Sequence, residues 1–323
     1  LASHRGQAFQ HTLARSVCVE GVGIHSGLRV RLELHPGAPG SGWRFLRRDV
    51  ADRDPWVRAS AEAVVETRLS TVLANADGVR VATVEHLAAA LAALGVDNVL
   101  VALDGPELPI LDGSASEWVA LIDAAGLAVQ AAPRRRFVLR RPLRIRLGES
   151  SAILIPAEHP RYSVSIEFPE RLIGHQHLDF ELDAEVFRRD IAPARTFGFL
   201  RDIERLLAEG LARGGSLDNA VVVDGERVLN PGGLRFPDEF VRHKLLDLIG
   251  DLALIGAPIM AHVIAHRPGH ALNNRILRAL VAEDLLVEQS LAPNPAALAA
   301  RREPMARRRQ RRPSLLLPSL APS

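Results

Sequence analysis

The chain has 323 residues, 47% of them hydrophobic and 24% charged, a balance that excludes a disordered chain and leaves room for two hydrophobic cores. Net charge is +2, and much of the basic excess sits in RREPMARRRQRRPS, residues 301–314, so the rest of the chain carries no charge signature of a nucleic-acid binder. A single cysteine, Cys18, rules out an internal disulfide and a cysteine-rich zinc site, so any metal must be held by His and carboxylates.

The first residues, LASHRGQAFQHTLARS, lack the continuous apolar core of a secretory signal, and no apolar run reaches the roughly 18 residues of a membrane span. A cytoplasmic protein is expected. VCVEGVGI and RVRLELHP alternate apolar and polar residues and read as strands, with the glycines of a tight turn between them. The period then changes to 3.6 at TVEHLAAALAALGVDN, a helix with Thr83 as its expected N-cap and Gly95 as its stop. A strand, NVLVALDG, leads to a second helix, SASEWVALIDAAG, in which Ser114 and Glu117 fit a capping box.

AAPRRRFVLRRP marks a boundary by its Pro and its charge run, after which the order repeats. Strands at LRIRLG, SAILIPA and YSVSIEFP precede helices at DIERLLAEGLARG and EFVRHKLLDLIGDLALIG. A strand, IMAHVIAH, then leads into the helix HALNNRILRALVAEDL. This order predicts an α+β protein of two similar domains, each a sheet covered by helices, with the active site in the cleft between them. The expected divisions are 1–131, 132–295 and a solvated, disordered Arg- and Pro-rich tail over 296–323, for which nucleic-acid binding is the lesser alternative.

Three clusters could carry chemistry. In a helix beginning near Asp238, His243, Asp247 and Asp251 fall four apart and form one polar column, whose phase points it into a cleft rather than the deepest core. An H-x-x-x-D pair can offer a nitrogen and an oxygen to one tetrahedral metal, although an isolated pair of this kind is also an ordinary exposed helix ion pair. Glu85 and His86 lie side by side at a helix start. The zincin order H-E-x-x-H is reversed there, and Ala82 stands where the inverted motif needs histidine, so Glu85 alone reads equally as a first-turn carboxylate. His266 and His270 flank a turn forced by Pro268 and Gly269, a place where histidines are commonly surface residues. Together the clusters offer two His and one Asp as ligands, with a carboxylate and an imidazole left over for proton transfer.

At these residues the sequence closely resembles the UDP-3-O-acyl-N-acetylglucosamine deacetylases, the zinc amidases that commit bacteria to lipid A synthesis. The resemblance runs in order through GVGIHSG, ATVEHLAAALAALGVDN, ARTFGFLRDIE, GGSLDNAVVVD, VLNPGGLRFPDEFVRHKLLDLIGDL and GHALNN, from about residue 10 to 290. It implies one zinc ion per chain on His86, His243 and Asp247, with Glu85 as general base. His270 matches the electrostatic stabiliser and general acid, Asp251 the residue that orients it, and Thr196 the hydroxyl on the oxygen of the tetrahedral intermediate.

Among substrate contacts, the resemblance implies Leu69 near the acetyl pocket, Phe197 and Phe199 beside the site, and Phe168 stacked on uracil. Lys244, the only lysine of the chain and counted also with the catalytic groups, and Arg267 fall at basic positions near the sugar and diphosphate. The segment LRDIERLLAEGLARGGSLDNAVVV resembles an insert that makes a greasy passage for the acyl chain, whereas plain helix packing accounts equally for Leu206, Leu207 and Leu211. His25 fits either a place near the substrate or turn packing. Ser70 replaces a cysteine that family members often carry, and the tail beyond about residue 296 has no counterpart. The implied partner is a small-molecule UDP-linked, acylated glucosamine, taken by a monomer. The rivals are a catalytically silent UDP-sugar-binding protein and a zinc amidase for another acylated amino sugar.

Overall fold

A computed structural model describes residues 8–291. The expected disordered tail at 296–323 lies outside the described residues. Period-2 alternation does what the sequence asks of it: in RVRLELHP, Val30, Leu32 and Leu34 turn inward at 3%, 0% and 1% exposure while their neighbours face out. The first half contains β1 (Phe9–Leu13), β2 (Val17–Val22), β3 (Arg29–Pro36), β4 (Trp43–Arg47) and β5 (Trp56–Arg58). Three short strands follow, β6 (Val64–Glu66), β7 (Val72–Ala74) and β8 (Arg80–Val81), then α1 (Glu85–Ala93), β9 (Val99–Leu103), α2 (Ser116–Ala125) and β10 (Leu127–Pro133).

The second half opens with β11 (Arg135–Leu139), β12 (Leu143–Leu147), β13 (Ser150–Pro156), β14 (Arg161–Glu167) and β15 (His175–Glu181). One turn of helix, α3 (Ala184–Val186), runs into a π-helical turn at Phe187–Ile191, and β16 (Phe197–Phe199), α4 (Leu200–Ala208), β17 (Val221–Asp224) and β18 (Arg227–Val228) come next. The chain then makes α5 (Glu239–Ala253), β19 (Ile259–His266), α6 (His270–Ala282) and β20 (Leu286–Ser290). The fold is α+β.

The two largest sheets repeat one topology. In the first, β3 pairs antiparallel with β2 and β9, β9 runs parallel to β4, and β4 pairs antiparallel with β5. In the second, β13 pairs antiparallel with β12 and β19, β19 runs parallel to β14, and β14 pairs antiparallel with β15. The central strand is flanked in sequence by α1 and α2 in one half and by α5 and α6 in the other. Even the outer ladders correspond. β1 is antiparallel to β10 and touches the start of the β9 segment through a parallel Thr12–Asn98 bridge, while β11 is antiparallel to β20 and parallel to β19.

Two local expectations change. Thr83 does not cap α1: Val84 holds that position, and Thr83 sits at φ +58° with its hydroxyl donating to Glu107 at 2.9 Å. Ser114 does not close a capping box, because its Oγ accepts from the Ser116 N–H and donates to Asp112. The boundary run AAPRRRFVLRRP carries the end of β10 and the whole of β11.

Helix α1 is apolar nearly all round and buried on every side but one residue, as an Ala- and Leu-rich helix enclosed by other elements must be. Its neighbour is α5. Gly250 makes that approach possible, since a Cβ there would stand 2.0 Å from the Glu85 carbonyl oxygen and 3.1 Å from the Ala89 nitrogen. A glycine in mid-helix costs about 1 kcal/mol relative to alanine. The close approach brings the polar residues of both helices within reach of one another.

Candidate functional site

The polar column of α5 does not face an open cleft. His243, Asp247 and Asp251 are 1–2% exposed, and α1 lays Glu85 and His86, at 3% and 4%, against them. Burying this many polar groups is tolerable only if they pair or share a cation. His243 Nδ1 donates to the Ala194 carbonyl at 3.1 Å, which leaves the Nε2 lone pair facing Asp247 Oδ1 at 3.3 Å. His86 Nε2 lies 3.6 Å from the same oxygen, and the two rings meet edge to face at 5.0 Å. Asp247 Oδ1 is buried with no hydrogen-bond partner among the described residues. One atom from each of His86, His243 and Asp247 falls within 4.8 Å of the others. An orphaned carboxylate oxygen between two imidazole nitrogens is the donor set of a cation, and three such ligands leave a tetrahedral ion one open position.

The electrostatics agree. Burial pushes His243 down to about 3, so its ring is neutral and free to ligate. Burial would raise the Asp247 carboxyl, yet the positive side chains around it, among them the Lys244 ammonium 2.8 Å from Oδ2, hold it well below the usual carboxylate range.

Beside this centre stand the remaining proton-carrying groups. His270 is the first residue of α6 and is 8% exposed, so the turn histidine belongs to the interior. Its Nδ1–H donates to Asp251 Oδ2 at 2.8 Å, and its Nε2 lies 3.8 Å from Glu85 Oε1. Burial alone would lower His270, but the Asp251 and Glu85 charges outweigh it and raise the group to about 9. Glu85 is itself pushed up, chiefly by burial and against the pull of His270 and His86. A carboxylate raised by burial and an imidazole raised by carboxylates, side by side, are a base and an acid with opposed environments. Two further residues complete the network, Thr71 and Asn273, which donate to Asp251 at 2.5 Å and 2.8 Å.

A profile of the UDP-3-O-acyl N-acetylglycosamine deacetylase (LpxC) family matches residues 10–282. The chain belongs to that family. It is 52% identical over 274 residues to a UDP-3-O-acyl-N-acetylglucosamine deacetylase of Myxococcus xanthus (strain DK1622), covering 85% of this chain and 87% of that one. The enzyme of the same name from Phenylobacterium zucineum (strain HLK1) is 49% identical over 274 residues, covering 85% and 94%. That of Shewanella baltica (strain OS155 / ATCC BAA-1091) is 47% identical over 277 residues, covering 85% and 90%. Membership of this deacetylase family makes the chain an enzyme, a hydrolase acting on an amide.

Around the centre, the segment ARTFGF is held by buried contacts. Arg195 and Glu239, both nearly inaccessible, pair at 2.9 Å, and Glu239 also accepts the Arg195 and Arg235 N–H groups. The Thr196 N–H donates to the Gly113 carbonyl at 2.7 Å. Gly113 has φ +83°, and a Cβ there would stand 2.0 Å from the Asn219 carbonyl oxygen, so only glycine lets the Asn219 backbone lie so close. Phe197 follows, 6.3 Å from the His243 ring and 5.5 Å from the Lys244 ammonium. Phe168, Phe197 and Phe199 form one aromatic cluster with ring separations of 5.7–6.3 Å.

The other expected contacts are less central. Leu69, 39% exposed, lies two residues before Thr71, and Ser70 between them is buried. Arg267 holds φ +52° just before α6 and places its guanidinium 2.7 Å from Glu149. His25 lies near enough to His270 for their charges to interact, and burial lowers its affinity for a proton. Helix α4 has no buried residue, with Leu207 47% exposed, so plain core packing does not account for its leucines. Among the described residues no helix is long and apolar enough to cross a membrane.

Proposed function

We propose that this enzyme is a zinc-dependent deacetylase removing acetate from the 2-acetamido group of a UDP-linked, 3-O-acylated glucosamine, the committed step of lipid A synthesis. The observation that carries the metal reading is the unpartnered Asp247 Oδ1 between the His86 and His243 nitrogens. Two nitrogens and one oxygen with a fourth position open suit zinc, one per chain. When bound, zinc supplies a Lewis-acidic charge that makes water acidic and polarises a carbonyl.

The residues of the chain divide the rest. Glu85 takes a proton from the attacking water, and the Thr196 hydroxyl hydrogen-bonds the oxygen that gains charge as the acetyl carbon becomes tetrahedral. His270, protonated at neutral pH and backed by Asp251, gives a proton to the nitrogen as the C–N bond breaks, so acetate and a free amine leave. Lys244 and Arg267 take the sugar and diphosphate side, Phe168 the uracil face, and Leu69 the acetyl pocket. Phe197, Phe199 and the exposed leucines of α4 line the acyl chain. The topological repeat supports two domains dividing near residue 131, and the enzyme acts as a cytoplasmic monomer.

Mass spectrometry of the nucleotide sugar after incubation tests this reading. Loss of one acetyl group is expected. Tight binding of the sugar nucleotide with no loss would instead favour the catalytically silent binding protein.

A further inference from the structure

Thr71 spends every polar atom it has on the site. Its main-chain N–H donates to Glu85 Oε2 at 3.1 Å, and its hydroxyl donates to Asp251 Oδ1 at 2.5 Å. Its carbonyl accepts the N–H of Val84, the residue that caps α1, at 3.5 Å. The residue is 2% exposed, and no other residue among those described hydrogen-bonds both carboxylates. Asp251 Oδ2 accepts from His270 Nδ1 and Asn273 Nδ2, each at 2.8 Å, and among the described residues Thr71 is the one side-chain donor to Oδ1. Thr71 Oγ1 also lies 3.4 Å from His270 Nδ1.

We propose that Thr71 is a positioning residue that locks Glu85 on α1 and the Asp251–His270 pair on α5 and α6 into one geometry. The assignment rests on the proton-transfer roles given above. Its physical content is a shared anchor: the accepting carboxylate and the donating imidazole belong to different helices, and one residue fixes the offset between them. Misplacement of about 1 Å at a reacting group can cost on the order of a hundredfold in rate, so such an anchor is worth having.

Thr71→Val removes the hydroxyl at almost constant volume. A methyl group cannot sit 2.5 Å from a carboxylate oxygen, so the Asp251 carboxylate turns and Oδ2 leaves the line of His270 Nδ1–H. The charged and titratable groups facing His270 are Asp251 and Asp247 from α5, Glu85 from α1 and His25 from the β2–β3 turn. Of these, the variant moves Asp251 first.

The test follows the His270 ring by NMR titration in wild type, Thr71→Val and Thr71→Ser, together with kcat, KM and zinc content. The His270 midpoint is expected to fall in Thr71→Val and to return in Thr71→Ser. In parallel kcat should drop about ten- to a hundredfold, with KM within about twofold and zinc retained. An unmoved midpoint in Thr71→Val, or a Thr71→Ser protein as altered as Thr71→Val, would overturn the assignment. Should Thr71→Val not fold, Thr71→Ala, which leaves space instead of a clash, takes the same measurements. The titration is independent of turnover: a wild type that releases no acetate refutes the deacetylase reading, whereas the midpoint alone decides Thr71.

Discussion

Asp251→Asn isolates the charge behind His270. The asparagine keeps nearly the same shape, and its oxygen can still accept from His270 Nδ1, so hydrogen bonding survives while the negative charge is lost. In the native protein, burial lowers His270 and the Asp251 and Glu85 charges raise it, from 6.5 to about 9. That rise corresponds to roughly 3 kcal/mol in favour of the imidazolium. A histidine raised in this way is protonated below its folded value, so the imidazolium is present up to about pH 9 and fades above it. The stability it contributes follows the same sign, complete below 6.5 and lost as pH climbs through about 9. With the nearer carboxylate neutralised and Glu85 still in place, the alkaline limb of kcat/KM should move to about pH 7. At pH 8 the protonated fraction then falls about tenfold, and at pH 6 it hardly changes. A pH-rate profile of both proteins reads this directly. A limb that stays where it was, or an equal loss at pH 6 and pH 8, would refute the electrostatic role and leave Asp251 a structural residue.

Glu85→Gln should retain zinc and lose about a hundred- to ten-thousandfold in kcat, measured as acetate release beside metal analysis; undiminished turnover would remove Glu85 as the base. Gly250→Ala should behave against helix propensity. Alanine is better than glycine by about 1 kcal/mol in an open helix, but its Cβ would meet the Glu85 carbonyl at 2.0 Å. A lower Tm and weakened zinc retention are expected, and a more stable, zinc-loaded protein would contradict the close-approach argument. Phe168→Ala should raise KM severalfold with kcat nearly kept, because the proposed contact of Phe168 with the uracil lies away from the reacting bond; an unchanged KM would leave Phe168 as packing only.

Much of this was legible before any coordinates. Strands with one buried face, such as RVRLELHP, declared themselves by alternation, and the α5 column by its four-residue spacing. The strand HQHLDFE did not, because of its seven residues only Phe180 is buried and the rest alternate half-buried with exposed. Arg135–Leu139 hid as a charge run, since its arginines pair across to Glu288 and Gln289 of the neighbouring strand. The column was misjudged as cleft-facing because its burial comes from α1, a partner some 160 residues away, and only Gly250 hints at how close that helix lies. Thr71 and Asn273 carried no usable signal: a threonine in LST and an asparagine in GHALNN become informative only when both are found on one buried carboxylate. The resemblance suggested roles that spacing alone left open, while the distances between those groups had to come from the fold.

The most direct test is a zinc titration of chelator-stripped protein, followed by acetate release from UDP-3-O-acyl-N-acetylglucosamine. If His86, His243 and Asp247 hold the one catalytic ion, activity should be absent without metal and rise linearly to a break at one zinc per chain. Full activity in the stripped protein, or zinc uptake with no acetate released, would contradict the account.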